Sequence, residues 1–215
     1  MSTTFDLVDV AISEAQIFVD NSFPLLHKLA KKEQEIIFKD YVVKFALVIT
    51  YMTMKLFGNV HNQLMSSVCT CFDKDMPIDF YYPGDDPNKE FFYSSLRLHT
   101  DEQTHLFSPQ LRRNEFAEKE FHALAALVLT ETDSSFSEEA EQLVTDIRQE
   151  IFQDLESYYQ NELCLSDISM RLGHLMTLNH TFQECKSRHK VLVHFYSTFF
   201  DVYLTDKYMQ AVGLL

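Results

Sequence analysis

Polar and hydrophobic positions recur with a helical period over most of this chain. Phe5 to Asn21 places apolar side chains at Phe5, Val8, Ile12, Ala15, Ile17, Phe18 and Val19. These spacings predict a helix that Phe23-Pro24 ends or kinks. Leu29 to Phe57, LAKKEQEIIFKDYVVKFALVITYMTMKLF, opens on the charged run Lys31-Lys32-Glu33-Gln34-Glu35. From Ile36 to Met54 it is then almost wholly apolar, broken only by Lys39, Asp40, Lys44, Thr50 and Thr53. No Gly or Pro interrupts it, which predicts a central helix covered on nearly all sides. Its apolar part, about 30 Å long at 1.5 Å per residue, could span a bilayer by length alone. The two lysines and the aspartate inside it would be costly there.

After Gly58 the pattern changes. Cys69 to Asp86, with β-prone residues around Pro77 and a Pro83-Gly84-Asp85 turn, predicts a short hairpin or β-turn with an acidic exposed tip. Ser95 to Glu115 predicts one or two helices split near Pro109. Glu115 to Leu129 predicts a helix that becomes buried. Ser135-Phe136-Ser137-Glu138-Glu139 carries N-cap chemistry for a polar helix reaching about Asn161, with a stripe of Leu143, Ile147, Ile151 and Leu155. Ser166-Asp167 caps a long final helix from Ile168 to about Tyr203, and Thr205 to Leu215 forms a short terminal segment. With no repeat or linker, one domain over 1–215 is expected.

Composition narrows the function classes. Four glycines and five prolines in 215 residues point away from a β-rich fold. A net charge of −14 argues against this segment gripping a phosphate backbone. Cys69, Cys71, Cys164 and Cys185 form no C-x-x-C pair, so reduced thiols in a cytosolic or nuclear protein are expected. The start, MSTTFDLVDV, shows no secretory signal, and no membrane association is expected.

Catalytic and metal signatures are missing. Among nine histidines, Glu120-x-His122 and His174 through His180 come closest to ligand spacing, without H-E-x-x-H or paired E-x-x-H. G-x-S-x-G, a phosphate loop and G-x-G-x-x-G are all absent, so no enzyme, cofactor or metal site is expected. Nineteen Phe and ten Tyr without Trp leave two readings open: a core filled by large side chains, or an apolar cavity between helices.

The stretch Pro24, Leu26, Leu29-x-x-x-Glu33-Gln34-x-x-Ile37-Phe38, followed by Lys39, resembles the signature of nuclear hormone receptor ligand-binding domains. Glu33 stands for the family's Asp, and Ile37-Phe38 for its Leu-Leu. The order of elements is similar over essentially the whole chain, including Glu120 in a buried helix and Arg171 opening the long helix. The departures resemble the nematode-expanded branch more than steroid or retinoid types. The resemblance implies an all-α, three-layer antiparallel helical sandwich with a short β-turn around 69–86. It also implies an apolar pocket lined by Phe5, Val8, Ile12, Val42, Val43, Ala46, Leu47, Thr50, Thr53, Leu192 and Tyr196. An apolar small molecule or lipid is the implied ligand class. Thr53 stands where some relatives place a basic residue, which disfavours an acidic ligand.

A co-regulator groove is implied as well. Its lysine and glutamate positions read Asn21 and Gln210 here, with Lys39 as the remaining base. Lys44 replaces an acid that many relatives use in an interface-associated salt bridge. The implied partners are co-regulator peptide helices and a homo- or heterodimer through the 168–203 helix. The family's zinc-binding DNA module is not in this chain, which implies either a domain of a longer receptor or a protein acting through dimerisation. The expected function is the ligand- and co-regulator-binding domain of an orphan nuclear receptor in transcriptional regulation, in the nucleus or shuttling to it. The rival expectation is a ligand-independent helical dimerisation module with a self-filled core.

Overall fold

Among the described residues the fold is all-α apart from one small hairpin. The computed structural model describes residues 2–57, 63–65, 71–73, 75–81, 85, 87–113, 115–131, 136–199 and 206–211. Its helices are α1 (Ser2–Ser22), α2 (Lys31–Phe57), α3 (Ile78–Tyr81), α4 (Lys89–Arg113), α5 (Glu118–Leu127), α6 (Glu138–Ser157), α7 (Ser169–Phe199) and α8 (Asp206–Ala211). Strands β1 (Gln63–Met65) and β2 (Cys71–Asp73) pair antiparallel, with Leu64 opposite Phe72. The Pro83-Gly84 turn expected from sequence lies outside the described residues.

α2 is the central element, packing against α1, α4, α5, α7, α8 and β1. Its buried residues Ile37, Tyr41, Leu47, Val48, Tyr51 and Met54 explain why so long an apolar run stays in water-free surroundings. Tyr51 sits among Phe107, Phe121 and Phe182, with ring centroids 5.7, 5.9 and 6.0 Å away in edge-on or tilted contact. Such aromatic pairs add about 0.5–1.5 kcal/mol each beyond area burial.

Local signals set the helix ends. Ser137 has extended backbone, and its Oγ accepts from the Ala140 N–H at 3.3 Å. Asp167 Oδ1 accepts from Ser169 N–H at 2.9 Å, at the start of α7. The buried stripe of α6 is Ala140, Val144, Ile147, Ile151 and Leu155, while Leu143 is half-buried. It follows the helical period one residue off the expected line at its first turn. α6 passes into a π-helical turn, Tyr158–Glu162, which carries the buried Tyr159.

Pro109 does not split α4, which runs unbroken from Lys89 to Arg113. Both Pro109 and His105 are exposed, so the hydrogen bond that Pro109 cannot give the His105 carbonyl is lost on a solvent-facing side of the helix. Among the described residues no helix is long and apolar enough to cross a membrane.

Candidate functional site

The charged lead-in of α2 carries tertiary contacts. Glu33 Oε1 accepts from the Ser137 N–H at 3.0 Å, tying the start of α2 to the start of α6. The Ser137 hydrogen bonds hold the Glu33 carboxyl below its usual range. Gln34 Nε2 donates to the Leu29 carbonyl at 2.8 Å, and Leu26, Leu29 and Ile37 are buried. The charged residues therefore fasten the turn before α2, while the apolar ones anchor it in the core.

α8 packs against α1 and α2. Asn21, Lys39 and Gln210 are each exposed, at the end of α1, in the first half of α2 and on α8 itself. Ile17, one turn before Asn21, is 55% exposed, and Leu25 is 42% exposed. This corner offers apolar side chains and polar ends without a formal charge pair. α8 is also tied to α7, because the Tyr208 hydroxyl lies 2.6 Å from His189 Nε2.

The residues expected to line an interior pocket fall into two groups. Ile12, Val42 and Leu47 are buried in the main core, with Val43 packed half-buried against it. Thr50 and Thr53 are buried on α2, and Thr53 Oγ1 donates to the Ile49 carbonyl at 2.7 Å. Ala46 is exposed, although its spacing puts it on the same face of α2 as Val42, Thr50 and Thr53. Leu192 and the buried Tyr196 belong to a separate cluster with Phe92, Leu96 and Phe195. There the Tyr196 hydroxyl lies 3.0 Å from Ser95 Oγ. Phe5 and Val8 lie on α1, but their side chains fall outside the described residues.

A groove of about 700 Å³ runs between α4 and α7, lined among others by Phe91, Leu98, His99, Val191, Leu192 and Phe195. Leu98 and Val191 are 62% and 71% exposed. Arg188, paired with Glu184 at 2.6 Å and with Glu102 at 3.6 Å, supplies the charge beside it.

Two buried ionic clusters brace the frame. The fully buried Lys44 bonds Asp40 Oδ2 at 3.0 Å and the Glu131 carbonyl, while Lys186 pairs with Asp40 Oδ1. Burial pulls the Lys44 ammonium down from its usual range, against the pull of Asp40. Glu131 in turn accepts from Asn179 Nδ2 at 2.6 Å and Gln183 Nε2 at 3.0 Å. The second cluster joins Glu120, Arg171 and Tyr159. Among the described residues no group of three or more His, Cys, Asp or Glu could hold a metal ion. Burial pushes the Cys185 thiol up to about 12, so it is an inert core thiol, and Cys164 is exposed.

Sequence reasoning missed the polar links between distant elements: His189 with Tyr208, and Lys44 with Glu131. A signal was present for the latter. Asp40 and Lys44 stand at i, i+4 inside an apolar run, where unpaired charge is not tolerated.

The model of the family described as "Ligand-binding domain of nuclear hormone receptor" matches residues 1–199. A comparison with curated proteins returned no match.

Proposed function

This chain belongs to the nuclear hormone receptor ligand-binding domain family, a family of ligand-binding, transcription-regulating domains and not of enzymes, and from that premise we propose its function. Our reading is the ligand- and co-regulator-binding domain of an orphan receptor, a single unit over 1–215 with no catalytic role. Domains of this family generally bind co-regulators and dimerise. The observation that carries the reading for this chain is the packing of α8 against α1 and α2, the two helices that carry the exposed Asn21 and Lys39.

In this mechanism α8 is one wall of a groove for an amphipathic, Leu-rich peptide helix. A ligand that favours the docked position of α8 stabilises the groove, because only differential affinity shifts such an equilibrium. The ligand class is an apolar small molecule or lipid. Of the residues expected to line a pocket, Thr50 and Thr53 on α2 and Tyr196 in the second cluster carry hydroxyls and no formal charge, which supports that class. Action in the nucleus, or shuttling to it, follows the family.

Titration of a fluorescent Leu-rich helical peptide tests the groove, and native against denaturing mass spectrometry tests for a retained lipid. Micromolar peptide binding that is lost on deleting residues 206–211 is expected. Absence of both peptide binding and any retained or added apolar ligand overturns the reading.

The aromatic packing of Tyr51 against Phe107, Phe121 and Phe182 favours a second reading, a ligand-independent module that dimerises through α7. Here the exposed Val191 and Phe199 would meet a partner. It predicts a dimer by sedimentation and no thermal shift with any ligand.

A further inference from the structure

We propose that His189 is a proton-operated latch on α8: the neutral imidazole holds Tyr208, and its protonation releases the helix. The geometry spans three elements. His189 stands on α7, its Nε2 2.6 Å from the Tyr208 hydroxyl on α8. From α4 the His99 ring faces it at 5.9 Å between centroids. His99 itself is fixed by the Gln103 amide at 2.8 Å.

Among the described residues no carboxylate faces His189 to stabilise a cation there. From α4 come His99 and, acting on His99, Glu102; Arg188 opposes that effect. From α8 comes Tyr208, while Asp206 is exposed. Along α7 stand the buried Cys185, Lys186 in its pair with Asp40 of α2, Arg188 in its pairs with Glu184 and Glu102, and the exposed Lys190. Among the described residues no carboxylate pairs with His189. A protonated His189 can donate to the Tyr208 oxygen from Nε2 but can no longer accept the phenolic proton. A charge is also buried beside a second histidine.

Burial, and after it the neighbouring His99, push the His189 imidazole down to about 4. Once α8 leaves, the ring meets water and returns toward its ordinary value of about 6.5. The docked state therefore binds the proton more weakly. Docking is at full strength above about pH 6.5 and weakens as the pH falls toward 4. At pH 5.5 the opening equilibrium of α8 rises about tenfold over its value at pH 7.5.

Hydrogen exchange of the 206–211 amides, corrected for intrinsic rates between pH 7.5 and 5.5, reads this directly. The intact chain is expected to show the tenfold rise, H189Q a flat profile, and Y208F weaker protection at pH 7.5. H99Q, lacking the second imidazole, keeps a rise. An NMR titration of His189 in the intact chain gives an independent measure should H189Q fold poorly. The same pH-dependent opening in H189Q, or His189 titrating near 6.5, overturns the proposal. The consequence for transcription rests on the proposed role of α8, but exchange reads docking alone. A chain that binds no peptide yet shows the expected exchange sinks the groove and keeps the latch.

Discussion

Arg171 grips the fully buried carboxylate of Glu120 from the first turns of α7, Nε to Oε1 and Nη2 to Oε2, both at 2.6 Å. The same carboxylate takes the Tyr159 hydroxyl at 2.9 Å and the Ala117 N–H at 2.7 Å. One side chain thus joins α5, the π-helical turn after α6, and α7. Each oxygen has two donors, so the buried charge is fully satisfied.

Removing the arginine alone leaves that charge buried without its counter-ion. R171M is expected to destabilise the fold by about 3 kcal/mol. The double variant R171M/E120Q recovers part of the loss, because a neutral amide costs less to bury. Urea titrations of both variants check this; equal losses in the two would show that the charge is not the cause.

Tyr51 is fully buried, and its hydroxyl has no hydrogen-bond partner among the described residues. A buried hydroxyl without a partner costs about 1–3 kcal/mol. Y51F keeps the ring contacts with Phe107, Phe121 and Phe182 and deletes only that oxygen. It is expected to stabilise the chain by about 1 kcal/mol and raise the melting temperature by a few degrees. Differential scanning calorimetry reads the shift. A lower melting temperature would mean that the hydroxyl is satisfied.

The N-cap of α6 gives a smaller and cleaner number. Ser137 Oγ accepts from Ala140 N–H, and S137A removes that acceptor together with the hydroxyl's own bond to Glu33, leaving only the backbone N–H bond to that carboxylate. The expected loss is about 1 kcal/mol, and S137N, which caps without bringing a second carboxylate to Glu33, restores most of it. Chemical denaturation of the three proteins settles the order.

The sequence made the helices legible because most of them bury a stripe at a fixed period. α2 could be read from its unbroken apolar run, and α6 from its cap and its recurring Ile147, Ile151 and Leu155. Glu33 and Gln34 were legible as a family mark, although their contacts with Ser137 and Leu29 were not. Pro109 was misleading, since it removes one helix hydrogen bond on an exposed side of α4 and the helix continues through it. Lys44 meeting Glu131, and His189 meeting Tyr208, could not be read from spacing. Each contact joins side chains on different elements, and periodicity carries no information about which faces meet. Ala46 shows the same limit: it stands one turn from the buried Val42 and Thr50 on the same face of α2, yet it is exposed.

The proposed groove makes a prediction in the direction of gain. A peptide helix bound across α1, α2 and α8 presents partial charge at both ends, positive at its N-terminus and negative at its C-terminus. Asn21 and Gln210 are exposed at this corner and carry no charge to meet either end. N21K places a cation for the peptide's last carbonyls, and Q210E places an anion for its first N–H groups. Each such contact is worth about 0.3–1 kcal/mol, so the double variant is expected to bind a Leu-rich helical peptide roughly tenfold more tightly. The gain should shrink in high salt, because both charges sit in water. Fluorescence polarisation at two ionic strengths measures both effects. The reversed pair, N21E/Q210K, is expected to weaken binding. Equal affinities for the two variants would place the peptide elsewhere on the surface.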